Sequence, residues 1–156
     1  MMQWHEFNDD AAVAAALAGK VADDLRCAMD ARGSALLALS GGGTPKRFMD
    51  VLSMQVLDWS RVSVTLVDER WVPPGNPRSN AGLLRTHLLH GAAADARFVP
   101  LYVDAPTPES ALPRVAARLA TLSMPLDVAV LGMGSNGHTA SFFPGGDHLA
   151  EALDPN

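Results

Sequence analysis

Ser34-Ala35-Leu36-Leu37-Ala38-Leu39-Ser40-Gly41-Gly42-Gly43-Thr44-Pro45 is the stretch that decides the fold. Leu36 to Leu39 is a short, continuously apolar run, the pattern of a strand buried on both faces in a parallel sheet. Three glycines follow it. Thr44 suits a helix N-cap and Pro45 suits the first helical position. Phe48, Val51 and Leu52 then give the new helix an inward face. The stretch reads as strand, tight loop and helix, the first part of a βαβ unit.

The same alternation continues on either side. Upstream, Val13, Leu17, Val21, Leu25 and Met29 recur every fourth residue and predict a helix. Asn8 or Asp9 can cap its start, and Gly33 can end it in a left-handed turn. Downstream, Val62, Val64, Leu66 and Val67 predict a second strand, ended by Asp68-Glu69-Arg70. A proline-rich loop (Pro73, Pro74, Pro77) leads to a helix over Asn80 to His90. Phe98 to Val103 predicts a third strand, and Pro108 to Leu122 a helix that must accommodate Pro113. Leu126 to Leu131 is the clearest strand signal and stops at Gly132-Met133-Gly134. Strands alternating with helices imply a mainly parallel α/β sheet flanked by helices. No repeat or linker divides the 156 residues, so residues 1–156 read as a single domain. Four strands make a small sheet, and the pattern from Gly145 to Asn156 begins a helix and stops. The expectation is a domain missing its C-terminal part.

Composition narrows the function. Apolar residues are 48% and charged residues 19%, which excludes a disordered tail or a highly charged coiled coil. Twelve Lys and Arg against 17 Asp and Glu leave a net charge of −5, and no basic stripe is present, so no nucleic-acid partner is expected. No apolar run is long enough to span a bilayer, so no membrane partner is expected. The run Ala11 to Ala18 imitates a signal-peptide core, but acids rather than bases precede it. Cys27 is the one cysteine. Both features fit a cytoplasmic protein. The oligomeric state is not legible.

Ligands of open parallel sheets bind beyond the carboxyl ends of the strands. Three strand ends here carry polar loops, and the connections bring all three to one edge. In the first, Gly41 to Gly43 let a ligand approach the backbone, and the next helix points its unpaired N–H groups at that spot, as phosphate binding requires. Lys46 and Arg47 in the first turn oppose the helix dipole, which makes more sense with an anion beside them. No Gly-Lys-Ser/Thr follows, so this is not a Walker A loop; an ordinary tight turn would use the same residues. In the second loop, Asp68 can orient a sugar hydroxyl or act as a base, and Arg70 can hold a carbonyl or a developing oxyanion. A surface ion-pair cluster is the bland alternative. The third loop, Gly132 to Thr139, imitates the dinucleotide pattern Gly-x-Gly-x-x-Gly, but Phe142-Phe143-Pro144-Gly145-Gly146 interrupts any helix after it. His138 is the sharper signal there, a candidate general base. Cys27 reads as a packed thiol, and Phe142-Phe143 as packing against the sheet. His148 and Glu151 are too few donors for a metal, and His5, His87 and His90 lack ligand spacing.

Ser-Gly-Gly-Gly-Thr-Pro at 40–45, Asp-Glu-Arg-Trp-Val-Pro at 68–73, Ser79-Asn80, and Gly-Met-Gly-x-x-Gly-His-Thr-Ala-Ser-x-Phe-Pro at 132–144 together resemble the 6-phosphogluconolactonases. The related glucosamine-6-phosphate deaminases share the glycine loop but carry glutamate where Phe143 stands and tyrosine where Arg70 stands. The resemblance implies a Rossmann-like fold and hydrolysis of 6-phospho-glucono-1,5-lactone in the oxidative pentose phosphate pathway, with no metal and no cofactor. It implies that His138 activates water and that Arg70 sits near the lactone. Gly42, Gly43 and Thr44 would hold the phosphate, with Asp68 and Asn136 also at the substrate. The family's usual residue at position 136 is aspartate; Asn136 keeps the size and an acceptor oxygen but not the charge. The alternatives are a deaminase acting on glucosamine 6-phosphate and a sugar-phosphate-binding module without turnover.

Overall fold

A computed structural model describes residues 2–154. Helix α1 (Asp10–Arg32) opens with the Asp9 carboxylate accepting from Ala12 N–H at 2.8 Å and closes at Gly33, whose φ of 83° is the left-handed cap glycine supplies cheaply. Strand β1 (Ala35–Leu39) follows and is buried at every residue. Then come α2 (Pro45–Ser53), β2 (Val62–Leu66), α3 (Asn80–His87), β3 (Arg97–Val99), α4 (Pro108–Leu119), β4 (Val128–Val130) and the short α5 (Leu149–Ala152). The sheet order is β3-β2-β1-β4, and every pairing is parallel. Leu37 lies beside Val64 on one side and Val128 on the other. The central place of β1 explains its unbroken apolar run: helices and neighbouring strands leave it no wet face.

Leu25 from α1, Leu37 and Leu39 from β1, Met49 and Leu52 from α2, Val62 and Val64 from β2, and Leu84 from α3 form the core, with Trp59 and Leu88 beside them. Each such side chain contributes about 1.5–3 kcal/mol by leaving water. α1 packs on α2 and β1, and α2 on α3, so the glycine loop between β1 and α2 is clamped at both ends.

Several expected elements differ in extent or role. α3 ends at His87 rather than His90, and α4 at Leu119 rather than Leu122, with Pro113 retained inside it. Pro113 is the sixth residue of α4, beyond the first turn, so the helix forgoes one ladder bond there, while its N-terminus is held by reciprocal Thr107–Ser110 hydrogen bonds. β3 and β4 shorten to three residues each. Both lie at the ends of the strand order and pair on one side only, so fewer ladder bonds extend them. Asp127 anchors β4 instead: its carboxylate accepts from Leu36 N–H at 2.8 Å and pairs with Arg32. The expected terminal helix is reduced to α5, and positions 155 and 156 fall outside the described residues. Cys27 is exposed rather than packed, because α1 turns its small residues Ala14, Ala18, Ala22 and Ala28 inward and places Cys27 off that stripe. No helix among the described residues is long and apolar enough to cross a membrane.

Candidate active site

The carboxyl ends of β1, β2 and β4 meet around a cavity of about 480 Å³. The glycine loop, Asp68, Arg70, Gly132 to Gly134 and His138 all line it, so the three loops singled out by sequence do converge. One wall was not expected. Val13, Ala14 and Leu17 from the start of α1 line the same cavity, and Val13 is 41% exposed. Val13 therefore faces the cavity, while Leu17 both lines the cavity and packs against the core. Ala14 and Ala18 pack inward at this end of α1, with Val21, Leu25 and Met29 further along it.

The glycine loop is held from behind. Asn80, 2% exposed, lies directly over Gly41, where any Cβ would overlap its amide. Asn80 Nδ2 donates to the Asp68 carbonyl at 3.0 Å and to its carboxylate at 3.4 Å. One side chain thus ties the first loop to the second. Gly42 has a φ of 116°, closed to residues with a side chain, and Gly43 faces open space. The N–H groups of Gly41, Gly42, Gly43 and Thr44 donate to no backbone acceptor among the described residues. Thr44 occupies the N-cap position before Pro45, but its side chain makes no capping hydrogen bond, because its backbone is already helical at φ −61° and ψ −42°.

The second loop is not an ion-pair cluster. Glu69 points away from the cavity and caps α3: its carboxylate accepts from the N–H groups of Asn80 at 2.7 Å and Ala81 at 2.8 Å. Its neighbours are left to the cavity. Arg70 donates one Nη to the Arg78 carbonyl at 2.9 Å, which orients the guanidinium without neutralising it. Asp68 also accepts from Ser141 Oγ at 3.4 Å, a link to the third loop.

The third loop closes on itself. Gly134 N–H donates to the His138 carbonyl, and Gly137 N–H to the Gly134 carbonyl, both at 2.8 Å. A Cβ on Gly134 would overlap the imidazole, so glycine is what admits the ring. Asn136 is not among the residues lining the cavity; it sits behind His138. Its Oδ1 lies 3.3 Å from the His138 backbone N–H and 2.6 Å from Nδ1. A backbone N–H only donates, so that atom is the amide oxygen. Nδ1 must then carry the proton, and in the neutral ring the lone pair is left on Nε2. Phe143 stacks on the imidazole with centroids 4.4 Å apart and planes at 22°. Phe142 and Phe143 remain exposed rather than packed against the sheet, because the Phe-Phe-Pro-Gly-Gly segment forms turns that curl over His138. Ala140, also lining the cavity, has a φ of 52°, a conformation costing about 1–2 kcal/mol for a residue with a Cβ.

Residues 8–155 match the model of the family described as glucosamine-6-phosphate isomerases/6-phosphogluconolactonase. The chain belongs to that family. A 6-phosphogluconolactonase of Rhizobium meliloti is 58% identical over 97% of the chain, and one of Mesorhizobium japonicum is 56% identical over 97%. The chain spans 65% and 64% of the lengths of these curated relatives. Among solved structures, a 6-phosphogluconolactonase from Shewanella baltica OS155 is 44% identical with a TM-score of 0.92, over 95% of this chain and 64% of that one. A monomeric glucosamine-6-phosphate deaminase, 22% identical with a TM-score of 0.77, shares the fold. In this member of the family the sheet edge, the glycine loop and the histidine loop are all present. Asn80, Val13 and Leu17 are among the cavity residues that the sequence placed in elements but not in the site. A polar residue opening a helix beside a strand-end loop was the available signal for Asn80.

Proposed function

We propose that this chain carries the hydrolytic centre of a 6-phosphogluconolactonase, opening 6-phospho-glucono-1,5-lactone to 6-phosphogluconate in the oxidative pentose phosphate pathway. The observation that carries the reading is the Asn136–His138 hydrogen bond. It leaves Nε2 as the acceptor on a ring that lines the same cavity as the glycine loop and Arg70. His138 Nε2 takes a proton from water as the oxygen adds to the lactone carbonyl carbon. Arg70 faces the negative charge that develops on the carbonyl oxygen. The C1–O5 bond then breaks, and the imidazolium returns its proton to the departing O5, giving the free hydroxyl and the carboxylic acid. The N–H groups of Gly42, Gly43 and Thr44 receive the 6-phosphate, and Asp68 a sugar hydroxyl. Neither a metal nor an organic cofactor enters these steps.

The names of the relatives at 50–58% identity favour the lactonase over the deaminase. The cytoplasm, where sugar phosphates are held, is the proposed location. The test is acid release on adding fresh 6-phosphogluconolactone, set against ammonia release from glucosamine 6-phosphate. Acid without ammonia is the expected result. Binding of 6-phosphogluconate without acid release above the spontaneous rate would leave only a binding module.

A further inference from the structure

We propose that Glu69 is a positioning residue: its carboxylate clasps the two ends of the loop 70–79 and so fixes the Arg70 guanidinium at the cavity. The inference rests on the lactonase reading, in which Arg70 faces the developing oxyanion, and adds to it a residue that lies outside the cavity.

Successive side chains at a strand end point to opposite faces. Asp68 and Arg70 line the cavity, and Glu69 between them does not. Each oxygen of Glu69 accepts from two donors. Oε1 accepts from the Arg70 N–H at 2.8 Å and from the Asn80 N–H at 2.7 Å. Oε2 accepts from the Ala81 N–H at 2.8 Å and from Ser79 Oγ at 3.2 Å. Asn80 and Ala81 open α3, where N–H groups lack a partner within the helix. One carboxylate therefore joins the first residue of the loop to its last residue and to the start of α3.

Arg70 depends on that closure. It is exposed, and no ion pair among the described residues holds its guanidinium. Its anchor is the Arg78 carbonyl, which accepts from Nη1 at 2.9 Å. Arg78 belongs to the far end of the same loop. The loop folds back on itself: the Ser79 N–H donates to the Asn76 carbonyl and the Asn76 N–H to the Pro73 carbonyl, both at 2.9 Å. It also leans on α3, since a Cβ on Gly82 would lie 2.5 Å from the Pro74 carbonyl oxygen. With the Arg78 carbonyl released, an exposed arginine spreads over its rotamers, and a charge that must be reordered in the transition state stabilises it less. Glutamine at position 69 keeps the size and one acceptor oxygen, but it sets an NH2 against backbone N–H groups, donor facing donor.

The experiment is a double-mutant cycle on kcat and KM for 6-phosphogluconolactone, with the unchanged chain, Glu69→Gln, Arg70→Ala and the two substitutions combined. Calorimetric binding of 6-phosphogluconate and thermal unfolding are measured alongside. Thr107→Ala, which removes the cap of α4 away from the cavity, is the control for lost helix capping. Glu69→Gln should lower kcat about 10–100-fold and move KM less than about threefold. Arg70→Ala should lower kcat about 10²–10³-fold. Adding Glu69→Gln to it should cost less than about twofold more, because the group being positioned is gone. Thr107→Ala should lower the unfolding midpoint and leave kcat within about twofold. Losses that multiply in the combined variant, or an unchanged kcat in Glu69→Gln, would overturn the proposal. If Glu69→Gln does not fold, Ser79→Ala, which withdraws one donor and leaves the carboxylate, goes through the same cycle. A kcat loss that vanishes in the Arg70→Ala background then supports the proposal, and equal losses in both backgrounds overturn it. The binding arm separates it from the lactonase reading. If the unchanged chain binds 6-phosphogluconate without turnover, non-additive losses of that binding still support Glu69, while the lactonase reading fails. If the unchanged chain turns over the lactone and the losses multiply, the lactonase reading stands and Glu69 fails. If it neither binds nor turns over, both fail.

Discussion

The loop after β1 and the loop after β4 are both rich in glycine, but they use it for opposite purposes. In Ser40 to Thr44 the backbone N–H groups from Gly41 onward have no backbone acceptor among the described residues, and a Cβ on Gly43 would face open space. On the proposed function those groups receive the substrate's phosphate. In Gly132 to His138 the N–H groups of Gly134, Gly137 and His138 are all engaged within the loop. Those three are held by the loop's own atoms, and the space a Gly134 Cβ would take is filled by the imidazole. On the proposed function one loop binds and the other aims. Glycine runs that look alike in sequence therefore differ in what a substitution should do, and four variants test the contrast.

The largest effect belongs to the aimed side chain. His138→Ala should lower lactone turnover by roughly 10²–10⁴-fold, the ordinary range for losing a general base. Thermal unfolding should move little, since His138 is outside the core cluster. Turnover retained within a few-fold would remove His138 from the chemistry. Next comes Gly134→Ala, which forces the ring out of its place while leaving it present. A displacement of about 1 Å costs around 10²-fold, so kcat should fall steeply while 6-phosphogluconate still binds. A fall in binding with kcat unchanged would mean the two loops are not specialised in this way.

Gly43→Val probes the binding loop. A Cβ there meets no protein atom within 4 Å, so the unfolding midpoint should move little. It occupies the phosphate's approach, so binding of 6-phosphogluconate should weaken about tenfold, or ~1.4 kcal/mol, with gluconate unaffected. Equal weakening of both would make the loop a folding element. The smallest effect is expected from Asn136→Asp. The amide oxygen already holds Nδ1, so turnover should change only a few-fold. A carboxylate beside the ring favours imidazolium, so more alkaline solution is needed to free Nε2. The acid limb of the pH–rate profile should therefore move upward. An inactive parent revived by the single aspartate would show that charge rather than position was missing.

Much of this contrast was legible before any coordinates. The apolar run Leu36 to Leu39, the Thr44-Pro45 start of α2 and the glycine loop are local signals, and each appears where its chemistry puts it. The lengths of β3 and β4 were overestimated because an apolar run records burial, whereas strand length depends on having a partner on both sides. Val13 was placed on one helix face with Leu17, Val21, Leu25 and Met29. A helical repeat says which residues share a face but not whether that face meets a sheet or a cavity.

The sequence alone determined that three polar loops share one sheet edge, because a right-handed parallel α/β chain has to place its strand ends there. It also determined the residue types at that edge, a possible base at His138 and cations at Arg47 and Arg70. Only the tertiary structure decided which nitrogen of His138 is free. That follows from two distances to a single Asn136 oxygen, and no pattern of residues encodes them. Only the tertiary structure separated Glu69 from Asp68 and Arg70, adjacent in the chain but turned to different tasks once α3 brought its N-terminus against the loop. Local backbone preferences act over a few residues and can be read along the chain. The direction of a side chain at a strand end is set by whatever distant segment packs there, and that becomes definite only when the chain is folded.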